Sequence, residues 1–314
     1  MLGIDYASEG KKAPDFSQFF NTLGLVVDTR ELARGTVTIG HTEKRSNEIL
    51  STLKVLLADK SVTPKALERL HGRLVWYNSF IFGRKLNQAV QVISSFSRVS
   101  TNQVSVEGSL RDALLEISFF LDGARPAKVH RSLAHTWYVF TDGAFEPQSK
   151  CPASVGGVLI NPHGQVVELF GEVLPSSCVD IFTRASEHPI YELEIFPLYL
   201  AAKIWASFLT GRQVVFFLDN SAAQSAYIRA VAATELGTSI IKAYTDLEMQ
   251  LSFFPWFGRV PSSSNIADDP SRLVFTHPLF RNAKRVTLDL LMHMQDLGLA
   301  SGASGNKTPT TKKG

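Results

Sequence analysis

The run Val214-Val215-Phe216-Phe217-Leu218 limits this chain's possible folds more than any other segment. Uninterrupted β-branched and aromatic residues read as a central strand buried on both faces, which calls for helices to cover the sheet. Asp219 follows directly. Three further acids hold comparable places: Asp142 ends Phe140-Thr141-Asp142-Gly143, Glu194 opens a long helical pattern, and Asp268 stands just before Pro270-Ser271-Arg272. Acids at the ends of packed strands repel one another, so a fold that gathers them usually holds divalent cations. A pair of such ions suits phosphodiester hydrolysis.

The surrounding pattern fixes an element order. Trp137–Thr141, Val155–Ile160 and Val166–Val173 read as a meander with a turn at Asn161-Pro162-His163-Gly164. After a long connection come a helix over Tyr191–Leu209, the Val214–Leu218 strand, helices over Ser221–Ala232 and Thr234–Gln250, a strand over Leu251–Phe257 and a short helix. The order is β-β-β-α-β-α-α-β. Trp137, Trp205 and Trp256 fall on apolar faces and are expected in the core. Upstream, Ile49, Leu50, Leu53, Leu56 and Leu57 form one helical stripe, and Leu67, Leu70, Leu74, Tyr77 and Ile81 another. Thr63-Pro64 supplies the second helix with an N-cap and a first-turn proline. Gly83 is read as a break before a segment reaching Phe96, and a further helix spans about Ser109–Leu121. Trp76 among these helices reads either as core or as a stacking group. Phe19–Asp28 and Thr36–Ile39 read as strand-like pieces that must pair or pack elsewhere, since two strands make no stable sheet alone. Residues 300–314 read as a tail.

The net charge of +3 hides an asymmetry. Residues 41–100 carry ten Lys/Arg against four Asp/Glu, whereas residues 133–275 carry eight against fourteen. A basic helical module beside an acidic one fits a polyanion clamp next to a cation-dependent site. Two cysteines in 314 residues fit a reducing compartment, and no signal-like N-terminus or membrane-length apolar run is present. A cytoplasmic or nuclear location is the expectation.

Residues 135–273 resemble the ribonuclease H domain of retroelement reverse transcriptases. The resemblance is carried by Thr141-Asp142-Gly143-Ala144, by Glu194-Ile195-Phe196-Pro197-Leu198 with Ala201-Ala202, by Leu218-Asp219-Asn220 followed by Ala222-Ala223, and by Val260-Pro261 through Asn265-Ile266-Ala267-Asp268-Asp269-Pro270-Ser271-Arg272. The last motif is similar to those of hepatitis-B-like viruses and tyrosine-recombinase-type retrotransposons. Leu67–Leu86 is similar to the thumb or connection region of such polymerases, and Leu23–Asp28 looks like the end of a palm. No Tyr-x-Asp-Asp motif occurs, so the chain is expected to be the C-terminal portion of such an enzyme or a gene derived from one.

The resemblance implies an α/β fold with a ribonuclease H-like mixed five-stranded sheet and flanking helices, preceded by a small helical domain. Its divisions fall at 1–41 (palm-like), 42–132 (thumb or connection), 133–275 (ribonuclease H-like) and 276–314 (a helix and tail). It implies cleavage of the RNA strand of an RNA–DNA hybrid, with the polymerase domain of the same element as a further partner. Two Mg²⁺ ions, for which Mn²⁺ substitutes, would be held by Asp142, Glu194, Asp219 and Asp268. Glu192 competes with Glu194, because two helical residues separate them by about 200°; Asp269 competes with Asp268, which the Asp-x-x-Ser-Arg spacing favours. Asn220, Ser221, Gln224 and Arg272 are candidate nucleic-acid contacts, and Arg73, Arg84 and Lys85 candidates for neutralising its backbone. Residues 251–267 hold no histidine, which many members carry there; His163 and His188 read as surface residues. Pro197 is tolerable in a first turn, which points to a helix starting near Glu194. The rival readings are a remnant that only binds nucleic acid or protein, and a transposase or integrase nuclease with three acids.

Overall fold

Capping and periodicity build the first half of the chain. In the computed structural model, which describes residues 17–130, 136–149, 151–185 and 189–299, Thr63 Oγ1 accepts the Ala66 amide at 3.2 Å and Pro64 opens a helix. That helix, α2 (Pro64–Asn78), packs with α1 (Glu43–Ala58), α3 (Asn87–Ser97) and α4 (Gly108–Asp122). Leu53, Leu67, Leu74, Leu86, Ile93 and Leu114 are wholly buried among them. Ile81 lies past the end of α2 and bridges to Pro126.

The strand-like pieces near the start find their partners within this same unit. Strands β1 (Phe19–Thr22), β2 (Leu25–Asp28) and β3 (Thr36–His41) pair antiparallel, and a strand from beyond α4, β6 (Ala127–His130), completes a four-stranded sheet. Leu23 and Gly24 join β1 to β2 with φ of 51° and 80°, the two positive values that a tight two-residue hairpin requires. Two short strands, β4 (Ser61–Val62) and β5 (Val104–Ser105), pair with each other. A separate compact unit follows residues 131–135.

The second unit is a mixed α/β sheet. Strands β7 (Trp137–Phe145), β8 (Ala153–Ile160) and β9 (Val166–Val173) form the antiparallel meander, while β10 (Gln213–Leu218) lies parallel to β7 on one side and to β11 (Phe254–Arg259) on the other. A two-residue strand, β12 (Lys284–Arg285), joins β9 in parallel, so the expected five strands gain a sixth at the edge: β11-β10-β7-β8-β9-β12. The connection before the central helix is itself partly helical: α5 spans Ser176–Ala185 and buries Cys178 and Phe182. Helix α6 runs Ile190–Ile204, followed by α7 (Ala206–Leu209), α8 (Ser221–Arg229) and α9 (Glu235–Leu251).

One sheet face carries the larger core, in which Val139, Val155 and Phe216 meet Phe196, Leu200, Trp205, Tyr227 and Tyr244. The other face is closed by the chain after β11: Val158 and Leu169 meet Ala267 and Phe280, with Phe140 and Phe275 alongside. This segment contains the short α10 (Asp268–Ser271), and α11 (Leu290–Asp296) follows. Trp205 is fully buried, but Trp256 is 71% exposed: its strand is the sheet edge, and one face of an edge strand need not be covered. Trp76 is partly exposed and meets Phe80 edge-on. No described helix is long and apolar enough to cross a membrane.

Candidate metal centre

Register brings the first two acids together. Val214–Phe217 of β10 lie opposite Trp137–Phe140 of β7 in parallel, and Phe140 stacks on Phe217 with centroids 4.5 Å apart. Two residues farther along each chain stand Asp142 and Asp219. Successive strand side chains alternate faces, so Asp142 shares the Phe140 face whereas Gly143 faces α6. The sequence pattern placed the Glu194 helix across the Asp142 face; α6 instead packs on the opposite one, and Glu194 reaches the strand end from there. Asp142, Glu194 and Asp219 each offer an oxygen, all within 4.8 Å of one another. Asp142 and Glu194 are buried, and Asp219 is half-buried.

This gathering carries an electrostatic cost. Burial, reinforced by the charges of Asp219 and Asp268, raises the Asp142 carboxyl to about 6, although the Ser271 hydrogen bond and Arg272 pull the other way. Burial again, with the charges of Asp142, Asp219 and Asp268, pushes Glu194 up to about 9. Glu194 Oε2 is buried without a hydrogen-bond partner. Among the described residues no cationic side chain forms an ion pair with any of the three. Hard oxygen donors, crowded, desolvated and uncompensated, fit a divalent cation of the Mg²⁺ or Mn²⁺ kind.

The fourth acid is placed differently. Asp268 opens α10, and its Oδ1 accepts Arg272 Nε at 2.9 Å; the same guanidinium reaches Glu146 Oε1 at 3.0 Å. Asp268 is outside the three-carboxylate cluster, yet its charge raises both Asp142 and Glu194. Of the competing acids, Glu192 is buried away from the cluster. Asp269 contributes its backbone carbonyl, which accepts the Arg272 and Val274 amides.

Sequence reasoning missed the groups that hold Asp142. Ser271 Oγ donates to Asp142 Oδ2 at 2.5 Å, and Asn265 Nδ2 lies 3.3 Å from Oδ1 and 3.1 Å from the Thr141 carbonyl. Ser154 Oγ donates to the Ser271 carbonyl at 2.5 Å. Gly156 permits this approach, since a Cβ there would lie 2.3 Å from Ser271 N. Asn265 and Ser271 both stand inside the Asn265–Arg272 motif, so their signal was present; Ser154 and Glu146 had none.

The candidate nucleic-acid contacts are mostly engaged internally. Asn220 Oδ1 caps α8, accepting the Ala222 and Ala223 amides at 3.0 Å, and Gln224 Nε2 donates to the Phe257 carbonyl at 3.0 Å. Ser221 is exposed at the start of α8. In the first unit Arg73 is exposed on α2 with Nη1 3.3 Å from Thr52 Oγ1, and Arg84 and Lys85 are half-buried between α2 and α3. His163 is exposed in the β8–β9 turn, and His188 lies outside the described residues.

No family model matches the sequence, and no curated protein matches it. Among solved structures, ribonuclease H1 from the archaeon Halobacterium salinarum is similar over 42% of this chain and 90% of its own, at 18% identity and a TM-score of 0.31. LC11-RNase H1, isolated from compost and solved in complex with an RNA/DNA hybrid, is similar over 44% and 95%, at 15% identity and a TM-score of 0.33. The foamy viral protease-reverse transcriptase in complex with an RNA/DNA hybrid is similar over 87% of this chain but 31% of its own, at 14% identity and a TM-score of 0.31.

Proposed function

We propose that residues 133–275 form a metal-dependent endonuclease that hydrolyses the RNA strand of RNA–DNA hybrids, as the ribonuclease H part of a retroelement reverse transcriptase-like protein. The observation that carries this reading is the convergence of Asp142, Glu194 and Asp219 within 4.8 Å, with two of the three carboxyls raised. The motif resemblance to hepatitis-B-like viruses and tyrosine-recombinase-type retrotransposons agrees with it, and so does the element order. On this reading the protein works in the cytoplasm or nucleus, with the polymerase domain of the same element as a partner.

Asp142 and Asp219 would present oxygens to two Mg²⁺ ions, Glu194 would hold one and orient the attacking water, and Asp268 would complete the other. The bound pair supplies activation of water and stabilisation of the leaving 3′-oxygen. Ser271 and Asn265 fix the Asp142 carboxylate, so its free lone pairs stay aimed at the cluster. Asn220, Ser221, Gln224 and Arg272 line the approach to the RNA strand, where a 2′-hydroxyl distinguishes it from DNA. Arg73, Arg84 and Lys85 neutralise backbone phosphates.

The test is cleavage of a labelled RNA–DNA hybrid with and without Mg²⁺, with single-stranded RNA and duplex DNA as controls. Hybrid-specific, metal-dependent cutting is expected; folded protein that leaves the hybrid intact in Mg²⁺ and Mn²⁺ would sink the assignment.

A further inference from the structure

A Cβ built on Gly143 would lie 2.2 Å from the carbonyl oxygen of Leu193, 2.6 Å from its carbon and 3.1 Å from the Glu194 nitrogen. This is where β7 comes against the backbone of α6, and it falls one residue from each of two cluster acids: Gly143 follows Asp142, and Leu193 precedes Glu194. The sequence placed Pro197 in a first turn, but α6 begins at Ile190, so Pro197 lies in its interior. The helical donor to the carbonyl of residue 193 is the amide of residue 197, and proline has none. The Leu193 carbonyl is thereby released from the ladder at the point where Gly143, lacking a side chain, approaches it. An interior proline is unfavourable in a helix, and within the helix's own hydrogen bonding nothing compensates for it.

We propose that Gly143 and Pro197 are a matched pair of positioning residues that set the spacing between Asp142 and Glu194 for a shared cation, an inference that rests on the metal-centre reading above. Magnitudes make the spacing critical. Two oxygens bound to one Mg²⁺ at about 2.1 Å each can be no more than about 4.2 Å apart. Relief of a 2.2 Å contact to ordinary carbon–oxygen separation moves the helix by about 1 Å or more. That displacement takes Glu194 beyond the reach of an ion held by Asp142. Proline at position 197 acts in the same direction as glycine at 143: both let the two backbones close.

The test uses the full chain and Mn²⁺ alone, with affinity read by calorimetry and fold by circular dichroism and Tm. Gly143→Ala is expected to weaken Mn²⁺ binding by about tenfold or more while the protein remains folded at assay temperature. Gly157→Ala serves as the destabilised control: its Cβ would meet the Phe170 ring at 2.3 Å, away from α6, so Tm falls and Mn²⁺ affinity holds. Pro197→Ala separates positioning from packing. It restores the helical donor to Leu193, so the protein should be at least as stable as wild type and yet bind Mn²⁺ several-fold more weakly. The inference is overturned if Pro197→Ala or folded Gly143→Ala binds as wild type does, or if affinity is lost only in step with Tm. Wild-type protein with no affinity for Mn²⁺ would bring down the metal centre and the inference together, whereas unchanged variants bring down the inference alone.

Discussion

The Ser271 hydroxyl donates to Asp142 Oδ2 at 2.5 Å across 129 residues of sequence. The bond ties α10 to the end of β7 and opposes the burial that raises the Asp142 carboxyl. Ser271 is itself held, through its carbonyl, by Ser154 on the neighbouring strand. The first metal-facing carboxylate is therefore oriented by the same segment that carries Asp268, so two parts of the centre cannot move independently.

Ser271→Ala removes the donor that lowers Asp142 and leaves the burial that raises it. Mn²⁺ affinity at neutral pH should fall by about tenfold, a typical cost for a partner of a metal ligand. The pH at which binding is half-maximal should move upward, because a ligand with a higher pKa must still lose its proton. Ser271→Thr keeps the hydroxyl and should restore the profile. A binding curve against pH that superposes on wild type would remove Ser271 from this role.

Glu194 predicts a stability profile of unusual sign. Its folded pKa of about 9 exceeds its ordinary value of 4.5, so between these the native state holds a proton that the unfolded state has released. Stability of the metal-free protein therefore falls as pH rises from about 4.5 toward 9, and Asp142 adds a similar fall between 3.8 and about 6. Glu194→Gln mimics the protonated form. In EDTA at pH 8 its Tm should exceed that of wild type and its pH dependence should flatten, while hybrid cleavage in Mg²⁺ is lost. Equal Tm values for the two proteins across pH 5–9 would show that Glu194 is not held protonated.

The strands and three of the four acids were legible because both signals are local: a β-branched run shows in a few residues, and an acid at its end shows beside it. Other elements lacked such signals. Strand β6 is four residues with alternating exposure, and only its pairing with β3 makes it a strand. Helix α5 has apolar residues at 178, 179, 181 and 182 within ten residues, a short stripe easily taken for part of a loop. Helix α6 begins four residues earlier than the motif suggested, because a helix buried on nearly every side gives no polar face to mark its start. The Ser271 and Asn265 bonds to Asp142 join residues more than 120 apart, a distance at which only the fold carries information.

Neutralising the acids should grade their effects by geometry. Asp142→Asn and Asp219→Asn each remove a member of the 4.8 Å cluster and should lower cleavage by about a hundredfold or more, the usual scale for one group stabilising a transition state. Asp268 is outside the cluster and paired with Arg272, so Asp268→Asn should act more weakly on the affinity for a first Mn²⁺ than either. Calorimetric titration of the three variants checks the ranking; an Asp268→Asn loss equal to that of Asp142→Asn would place Asp268 among the primary ligands.

Arg73 distinguishes nucleic-acid binding from metal binding. It is exposed on α2, and its one printed side-chain partner is the Thr52 hydroxyl, a weak anchor that a phosphate can replace. If it neutralises a backbone phosphate, Arg73→Ala should weaken hybrid binding at low salt and reduce the slope of log affinity against log salt by about one, since one fewer counterion is released. The loss should be similar for different hybrid sequences, because a phosphate contact reads no base. Mn²⁺ affinity should be unchanged, as Arg73 belongs to the other unit and contributes no ligand. Fluorescence anisotropy across a salt series measures the slope directly, and an unaltered slope would assign Arg73 to the solvated face of its helix.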